Sequence, residues 1–342
     1  MPEPQPPESA GTALAEELET TGLVADAVTV EIAGVTAGVQ PARKKRLGFG
    51  AWLAIVWIGG LILAAVIAPI LPIAGPNDTF TSIQSSQAPF ARVNTPVGCT
   101  GNACTGSIVP FTEGHLLGGD KNGHDLLSRA IYGARNSLIV GFGAIAFGIL
   151  VGGLLGLLGG YYRGKIDAVI VAFLDIMLAI PAIVLALSLT AVLRGRVPDL
   201  WILVIALAII SVPVLGRITR ANTLVWSERE FVTAARAQGA KNWRIMTREV
   251  LPNVLPAMFS IALLGVAIVI AAEAGLRLLG IGLSITDPSW GGIINDGRDA
   301  LTQGKTAHVV FVGSAFIFFT ILALNYLADV IRARFDVREA GI

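Results

Sequence analysis

Few residues in this chain have a type and spacing that could do covalent chemistry. His115, His124 and His308 fall in unrelated places, with no metal-ligand spacing among them. Cys99 and Cys104 bracket a small loop around Gly101 without His or acid neighbours, which makes a poor metal site. In an oxidising compartment the two are candidates for a disulfide that staples this loop locally. No Gly-x-x-x-x-Gly-Lys-[Ser/Thr] loop is present to cradle a phosphate. Gly141 and Gly143 open an apolar stretch instead of joining a strand to a helix, so a dinucleotide reading fails on context. The pattern offers no catalytic residue, metal site or cofactor of the chain's own, and argues against an enzyme.

The remaining candidates are charges and glycines set in apolar surroundings. Asp175 lies inside a hydrophobic run, where a charge facing lipid would cost about 2.5 to 3.5 kcal/mol; it must face a partner, a cavity or the interface. Pro181, six residues on, is expected to kink that helix. Glu273 and Arg277 stand four apart, where a carboxylate and a guanidinium can pair on one helix face; this is a surface pair or an element of a gate. Gly148, Gly152, Gly156 and Gly160 recur at every fourth position, which lines them along one face and permits close backbone approach where lipid supplies no hydrophobic drive for association.

These residues must be carried by membrane-spanning helices. Of 342 residues, 54% are hydrophobic and only 14% charged, against a globular norm of about 25% charged. The 25 basic and 24 acidic residues nearly cancel, so net charge gives no argument for a nucleic-acid partner. A span of ~30 Å of hydrocarbon needs about 20 apolar residues. Six runs qualify or come close: residues 50–73, 136–162, 168–193, 200–216, 250–272 and 306–328. The fourth is short unless polar flanks extend it. Six spans place both termini on one side. With that side cytoplasmic, the inner segments hold sixteen of the basic residues, including Arg43 to Arg46 and seven from Arg217 to Arg248, and the outer segments nine, which supports N-in, C-in.

Residues 1–46 read as a disordered acidic cytoplasmic tail ending in the basic anchor Arg43-Lys44-Lys45-Arg46. The apolar run begins too late for a signal peptide, so the first span, within 47–73, is expected to be retained. Residues 74–133 form a polar external loop holding Cys99 and Cys104, and 134–338 the remaining five-helix core.

Between the fourth and fifth spans, residues 217–249 are too long and too charged for a tight turn. Ser227 and Glu230 match a capping box that starts a helix, and Gly239 can close it in a left-handed cap. Phe231, Val232, Ala234 and Ala235 follow the cap, the alanines leaving a shallow face. Trp243, Ile245 and Met246 present apolar bulk beside Lys241, Arg244 and Arg248. An amphipathic helix so placed, within about 227–248, lies on lipid or docks into a protein groove.

Ala234-Ala235, Gly239 and Leu251-Pro252 resemble the "EAA" loop of permease subunits in ATP-binding-cassette (ABC) importers: Glu-Ala-Ala, three residues, Gly, nine residues, Ile, one residue, Leu-Pro. Thr233 stands where the Glu usually is, and Glu249 where the Ile usually is. Further blocks resemble the C-type subunit of the dipeptide/oligopeptide permease family: residues 119–135, Asp175 to Pro181, Glu273 to Gly282, Pro288-Ser-Trp-Gly291 and Asn325 to Asp329. Together they cover roughly residues 47 to 338.

The resemblance implies an all-α permease of the type I ABC importer class, with six transmembrane helices, paired with a homologous B-type permease, two cytoplasmic ATPases and an external solute-binding protein. ATP and Mg would be bound by the ATPases and not by this chain, and the cargo would be a peptide, nickel or a small conjugate such as glutathione. Phe231, Ala234, Ala235, Gly239, Trp243, Leu251 and Pro252 would form the ATPase-coupling interface in a bacterial inner membrane. A different class stays open on the residues alone: an ion- or proton-driven carrier using Asp175 and Glu273 as its ionisable pair.

Overall fold

A computed structural model describes residues 48–71, 73–79, 91–92, 114–282, 286–302 and 307–336. These form one compact unit within Leu47–Phe335, apart from Asp336. The acidic tail, its basic anchor and the Cys99/Cys104 pair lie outside the described residues.

Helix α1 (Phe49–Ile67) is apolar on every face. Its buried stripe, Ala51, Ala54, Ile58, Leu61 and Ala65, has the three-and-four spacing of one helix face, while Trp52, Leu53, Val56, Leu63 and Val66 point outward. In water those outward side chains would be penalised; a bilayer accepts them. A two-stranded antiparallel ladder, β1 (Ala91–Arg92) with β2 (Gly114–His115), precedes the second helix.

Helix α2 (Leu126–Gly148), a π turn (Ile149–Gly153) and α3 (Leu154–Tyr162) make one continuous rod of 37 residues. The Asp125 carboxylate caps it by accepting from the Ser128 amide at 2.8 Å. After a turn at Arg163-Gly164, both at positive φ, come α4 (Gly164–Ala179) and α5 (Ala182–Leu193), bent by 79°. The break has a local cause: Ile180 is extended, as the residue before a proline prefers. Helix α6 (Asp199–Ser227) follows, then the short α7 (Glu230–Ala237). A second 37-residue rod combines α8 (Asn242–Ile245), a π turn (Met246–Val250) and α9 (Leu251–Leu278). Helices α10 (Trp290–Thr302) and α11 (His308–Asp336) complete the described chain. Five of these rods are long and apolar enough to cross a membrane, and six if the bent α4–α5 pair counts as one span.

Several boundaries differ from those read in the sequence. The fourth span is not 200–216 but the 29-residue α6, which runs eleven residues further and carries Arg217 and Arg220. The fifth starts at Asn242 and ends at Leu278, not at 250–272. Helix α10 lies between the fifth and sixth apolar runs, where the sequence indicates no span. In each case charged side chains find partners inside the fold, so charge alone does not end the helix.

The four-residue glycine repeat packs against α6. A β-carbon at Gly152 would lie 2.3 Å from the Val212 carbonyl oxygen, and one at Gly156 2.3 Å from that of Gly216. At Gly148 and Gly160 it would meet Leu215 and Thr223 at 2.8 and 2.7 Å. The two backbones therefore touch along four turns, a packing only glycine allows. Helix α1 is held on α11 by the Trp57 indole N–H, which donates to the Thr320 hydroxyl at 3.2 Å, and by the Phe316 and Phe319 rings.

Candidate functional site: an end capped by a short helix and a clamped far end

The rods end in two polar regions, at opposite ends of the bundle. At the first, α7 sits across the ends of α3, α6 and the 242–250 segment. Ser227 does not cap it. Ser227 is the last residue of α6, where its hydroxyl donates to the Leu224 carbonyl at 3.0 Å and accepts from the Arg163 guanidinium at 3.2 Å. Arg163 also pairs with Glu228 at 2.8 Å. The capping box seen in the sequence is therefore not used: a contact from a residue 64 positions away takes its serine. Helix α7 begins after Arg229, which makes no side-chain cap bond.

The other end of α7 closes through Gly239 at φ 79°. The Gly239 amide donates to the Arg236 carbonyl and the Ala240 amide to that of Ala235, the paired bonds of a Schellman cap. Val232 is the buried anchor, packed with Leu157, Tyr161, Ile245, Met246, Val250 and Val254. Ile245 and Met246, read in the sequence as apolar bulk offered outward with Trp243, instead belong to this core. The Arg236 guanidinium lies 5.8 Å from the Tyr161 ring centroid, and the Tyr161 hydroxyl donates to Asn242 at 3.2 Å. Outward-facing residues are Ala234, Gly239, Trp243 and Pro252, with Trp243 64% exposed; Phe231, Ala235 and Leu251 are partly covered. The result is a short helix seated on two rods by one face and showing a small-residue face and one tryptophan on the other. Val232 packs with α3 and the 242–278 rod, which fixes α7 to the ends of both.

Two ion pairs tie α4 to α6 just inside this end. Asp167 is bonded by both the Nε and Nη2 of Arg220, and Asp175 by Arg217. Asp175 thus meets a residue that the sequence reading put outside the membrane. The Asp167–Arg220 pair is mostly covered, whereas Asp175 and Arg217 are each about half exposed (51% and 52%).

At the far end a buried cluster joins the 116–125 segment, α2 and α10. Asp120 accepts from the Asn122 and His124 amides at 2.8 and 2.9 Å, and its second oxygen meets His124 Nδ1 at 2.9 Å and Arg129 at 3.1 Å. Arg129, fully buried, reaches Asp296 on α10 at 3.6 Å, and Lys121 reaches the same carboxylate at 3.8 Å. Burial works against ionising Asp120, but the His124 and Arg129 contacts outweigh it and hold this carboxyl below its ordinary range. For Asp296 burial wins over Arg129 and Lys121, with Asp120 adding repulsion, and its pKa is raised. The sequence does not single out Asp120, Arg129 or Asp296, and of His124 it shows only the lack of metal-ligand spacing. The available signal was four ionisable residues, Asp120, Lys121, His124 and Asp125, in the ten positions before an apolar rod, a density that mutual pairing makes tolerable.

Beside this cluster lie Glu273 and Arg277, both buried, which corrects the surface-pair reading. Ser137 on α2 donates to Glu273 at 3.3 Å and accepts from the Trp290 amide at 3.3 Å. Trp290, fully buried, donates from its indole to the Ala130 carbonyl at 3.0 Å. The structure does not bring Asp175 and Glu273 together: one belongs to the half that carries α7, the other to the far end. Between α5, α6 and α9 an almost wholly apolar cavity of about 450 Å³ is lined by Ala182, Ile183, Leu207, Ile210, Leu276 and Leu279, among others.

Comparison with known proteins fits this arrangement. Residues 148–340 match the family described as "Binding-protein-dependent transport system inner membrane component". The dipeptide transport system permease protein DppC of Alkalihalophilus pseudofirmus is 35% identical over 294 residues, 86% of either chain. The di/tripeptide transport system permease protein DppC of Pseudomonas aeruginosa is 38% identical over 65% of this chain and 71% of its own. The glutathione transport system permease protein GsiD of Pectobacterium atrosepticum is 34% identical over 66% and 73%. Among solved structures, an inward-facing MetNI methionine ABC transporter aligns with TM-score 0.51 at 19% identity, covering 61% of this chain and 97% of that one, so the fold is that of an ABC importer permease. With helices built to cross a bilayer, a family match over more than half its length and relatives of the same size, this chain belongs to the inner membrane components of binding-protein-dependent transport systems.

Proposed function

We propose that the chain is one of two homologous permeases in an ATP-driven importer that carries di- or oligopeptides across a bacterial inner membrane. Two ABC ATPases supply the energy and bind ATP and Mg, and an external solute-binding protein delivers the cargo. The substrate class rests on the names of the relatives, most of which are peptide permeases; glutathione, itself a small peptide conjugate, is the cargo named for one of them. The bias of Lys and Arg towards the inner segments supports a cytoplasmic position for α7 and both termini.

The observation that carries the reading is the mounting of α7. Its buried Val232 joins it to the ends of two spanning rods, and Ala234, Gly239 and Trp243 leave a low, partly apolar face for a groove on an ATPase. Closure of the ATPases on ATP would drag α7 and tilt the rods, switching access between the two sides. The test is Ala234→Arg, which leaves the Val232 anchor intact. In purified complexes this variant should retain the companion permease, lose most of the ATPase subunits and lose peptide uptake. Normal uptake with full ATPase retention would refute the docking role.

A further inference from the structure

Two ion pairs link α4 to α6, and they differ in a way that cross-linking does not explain. Asp167 and Arg220 form a two-point bond, mostly covered, that by itself fixes these helices to each other. Asp175 and Arg217, further into the bundle, share a single contact and each keeps about half its surface open. At 1.5 Å per residue Asp175 lies about 17 Å from the start of α4 and Arg217 about 15 Å from the end of α6, so both estimates put the pair at one depth. Its surroundings are apolar: Phe173 and Ile176 flank Asp175, Val214 lies one turn before Arg217, and all three are exposed. Charges at such a place avoid lipid and mark pathways or partners. The span carrying Asp175 is broken at Pro181, six residues later, and discontinuous helices recur where transported solutes pass.

We infer that Asp175 and Arg217 line the translocation conduit and receive the charged termini of the peptide, the carboxylate taking the ammonium group and the guanidinium the carboxylate. This rests on the peptide-permease reading above. A zwitterionic cargo leaving water needs both signs of charge close together, and an ion pair with open outer faces offers them without leaving either partner unpaired when the conduit is empty. Nearby, Asp167–Arg220 keeps α4 and α6 registered, so Asp175–Arg217 can loosen around a cargo without the helices parting.

The experiment uses the complete transporter in proteoliposomes, with Cys99 and Cys104 changed to serine. In the Asp175→Cys variant, a membrane-impermeant cationic methanethiosulfonate should label position 175, and binding protein loaded with alanyl-alanine, with the ATPases trapped by vanadate, should slow labelling at least fivefold. In the otherwise native chain, Asp175→Asn and Arg217→Gln should each lower alanyl-alanine uptake about tenfold with the complex still assembled. Position 175 unlabelled in every state, or labelled at a rate the loaded binding protein does not alter, would overturn the inference, as would wild-type uptake in both charge-neutralising variants. Absence of alanyl-alanine uptake by the native transporter would instead overturn the peptide reading, while labelling at position 175 would still report a water-filled conduit.

Discussion

The Ser137 hydroxyl lies 3.3 Å from a carboxylate oxygen of Glu273, joining residues 136 positions apart and bringing α2 against the last turns of α9. The same hydroxyl accepts from the Trp290 amide, so one side chain fastens three helices at the far end. Removing it leaves a buried carboxylate oxygen and a buried amide short of partners. Ser137→Ala should destabilise the purified complex by about 1 to 3 kcal/mol, the cost of a stranded buried polar group, read as a lowered thermal midpoint in detergent. An unchanged midpoint would show that the contact carries no load.

Glycine-to-alanine changes should divide sharply by position. Gly152→Ala must push α6 away from the first rod, because its β-carbon would sit 2.3 Å from the Val212 oxygen; a loss of about 1 to 3 kcal/mol is expected. Gly60→Ala on α1 meets nothing within 4 Å and should be neutral or gain up to about 1 kcal/mol from helix propensity. Thermal midpoints of the two variants compared side by side decide the matter.

Gly239→Val tests the cap of α7. Position 239 has φ 79° and open space around it, so a valine there clashes with nothing but strains the backbone, by about 1 to 2 kcal/mol. Membrane insertion should be normal, while peptide uptake per ATP hydrolysed falls severalfold as the far turn of α7 unwinds. Coupling equal to wild type would separate the cap from energy transfer.

The far-end cluster predicts opposite pH signatures for its two acids. Asp120 has a depressed pKa, so its stabilisation is present above the ordinary carboxylate value and is lost as pH falls through the lower folded value. Asp296 has a raised pKa, so the folded state binds the extra proton there, and its contribution declines as pH rises between the ordinary and the raised value. Asp120→Asn should lower the midpoint at neutral pH and flatten the loss in strong acid. Asp296→Asn should flatten the decline on the mildly acidic side. Midpoints measured from pH 3 to 8 would expose a wrong assignment as a profile parallel to wild type.

Much of this protein was legible in its residues one at a time. Apolar runs locate five membrane crossings and the bent helix pair that would make a sixth, because lipid excludes unpaired charge irrespective of what packs nearby. Pro181 determines the break in the third crossing through local sterics, and Gly239 the left-handed end of α7 through the absence of a β-carbon. The alanine pair and the Leu251-Pro252 step mark the segment between α6 and α9 by pattern alone.

What only the tertiary structure decided are the partnerships. Ser227 looked like a helix cap and became the end of α6, since Arg163, distant in sequence, satisfies it. Arg217 and Arg220 looked like the start of a loop and are held inside the bundle by Asp175 and Asp167. Ile245 and Met246 looked exposed and are buried under Val232. Asp296 joins Asp120 and Arg129 from far along the chain, a meeting that the density of charges before α2 does not announce. A charge or a hydroxyl is tolerated wherever a complementary group arrives, and that arrival depends on how the helices cross; an apolar run or a proline acts on its own stretch of chain and needs no such partner.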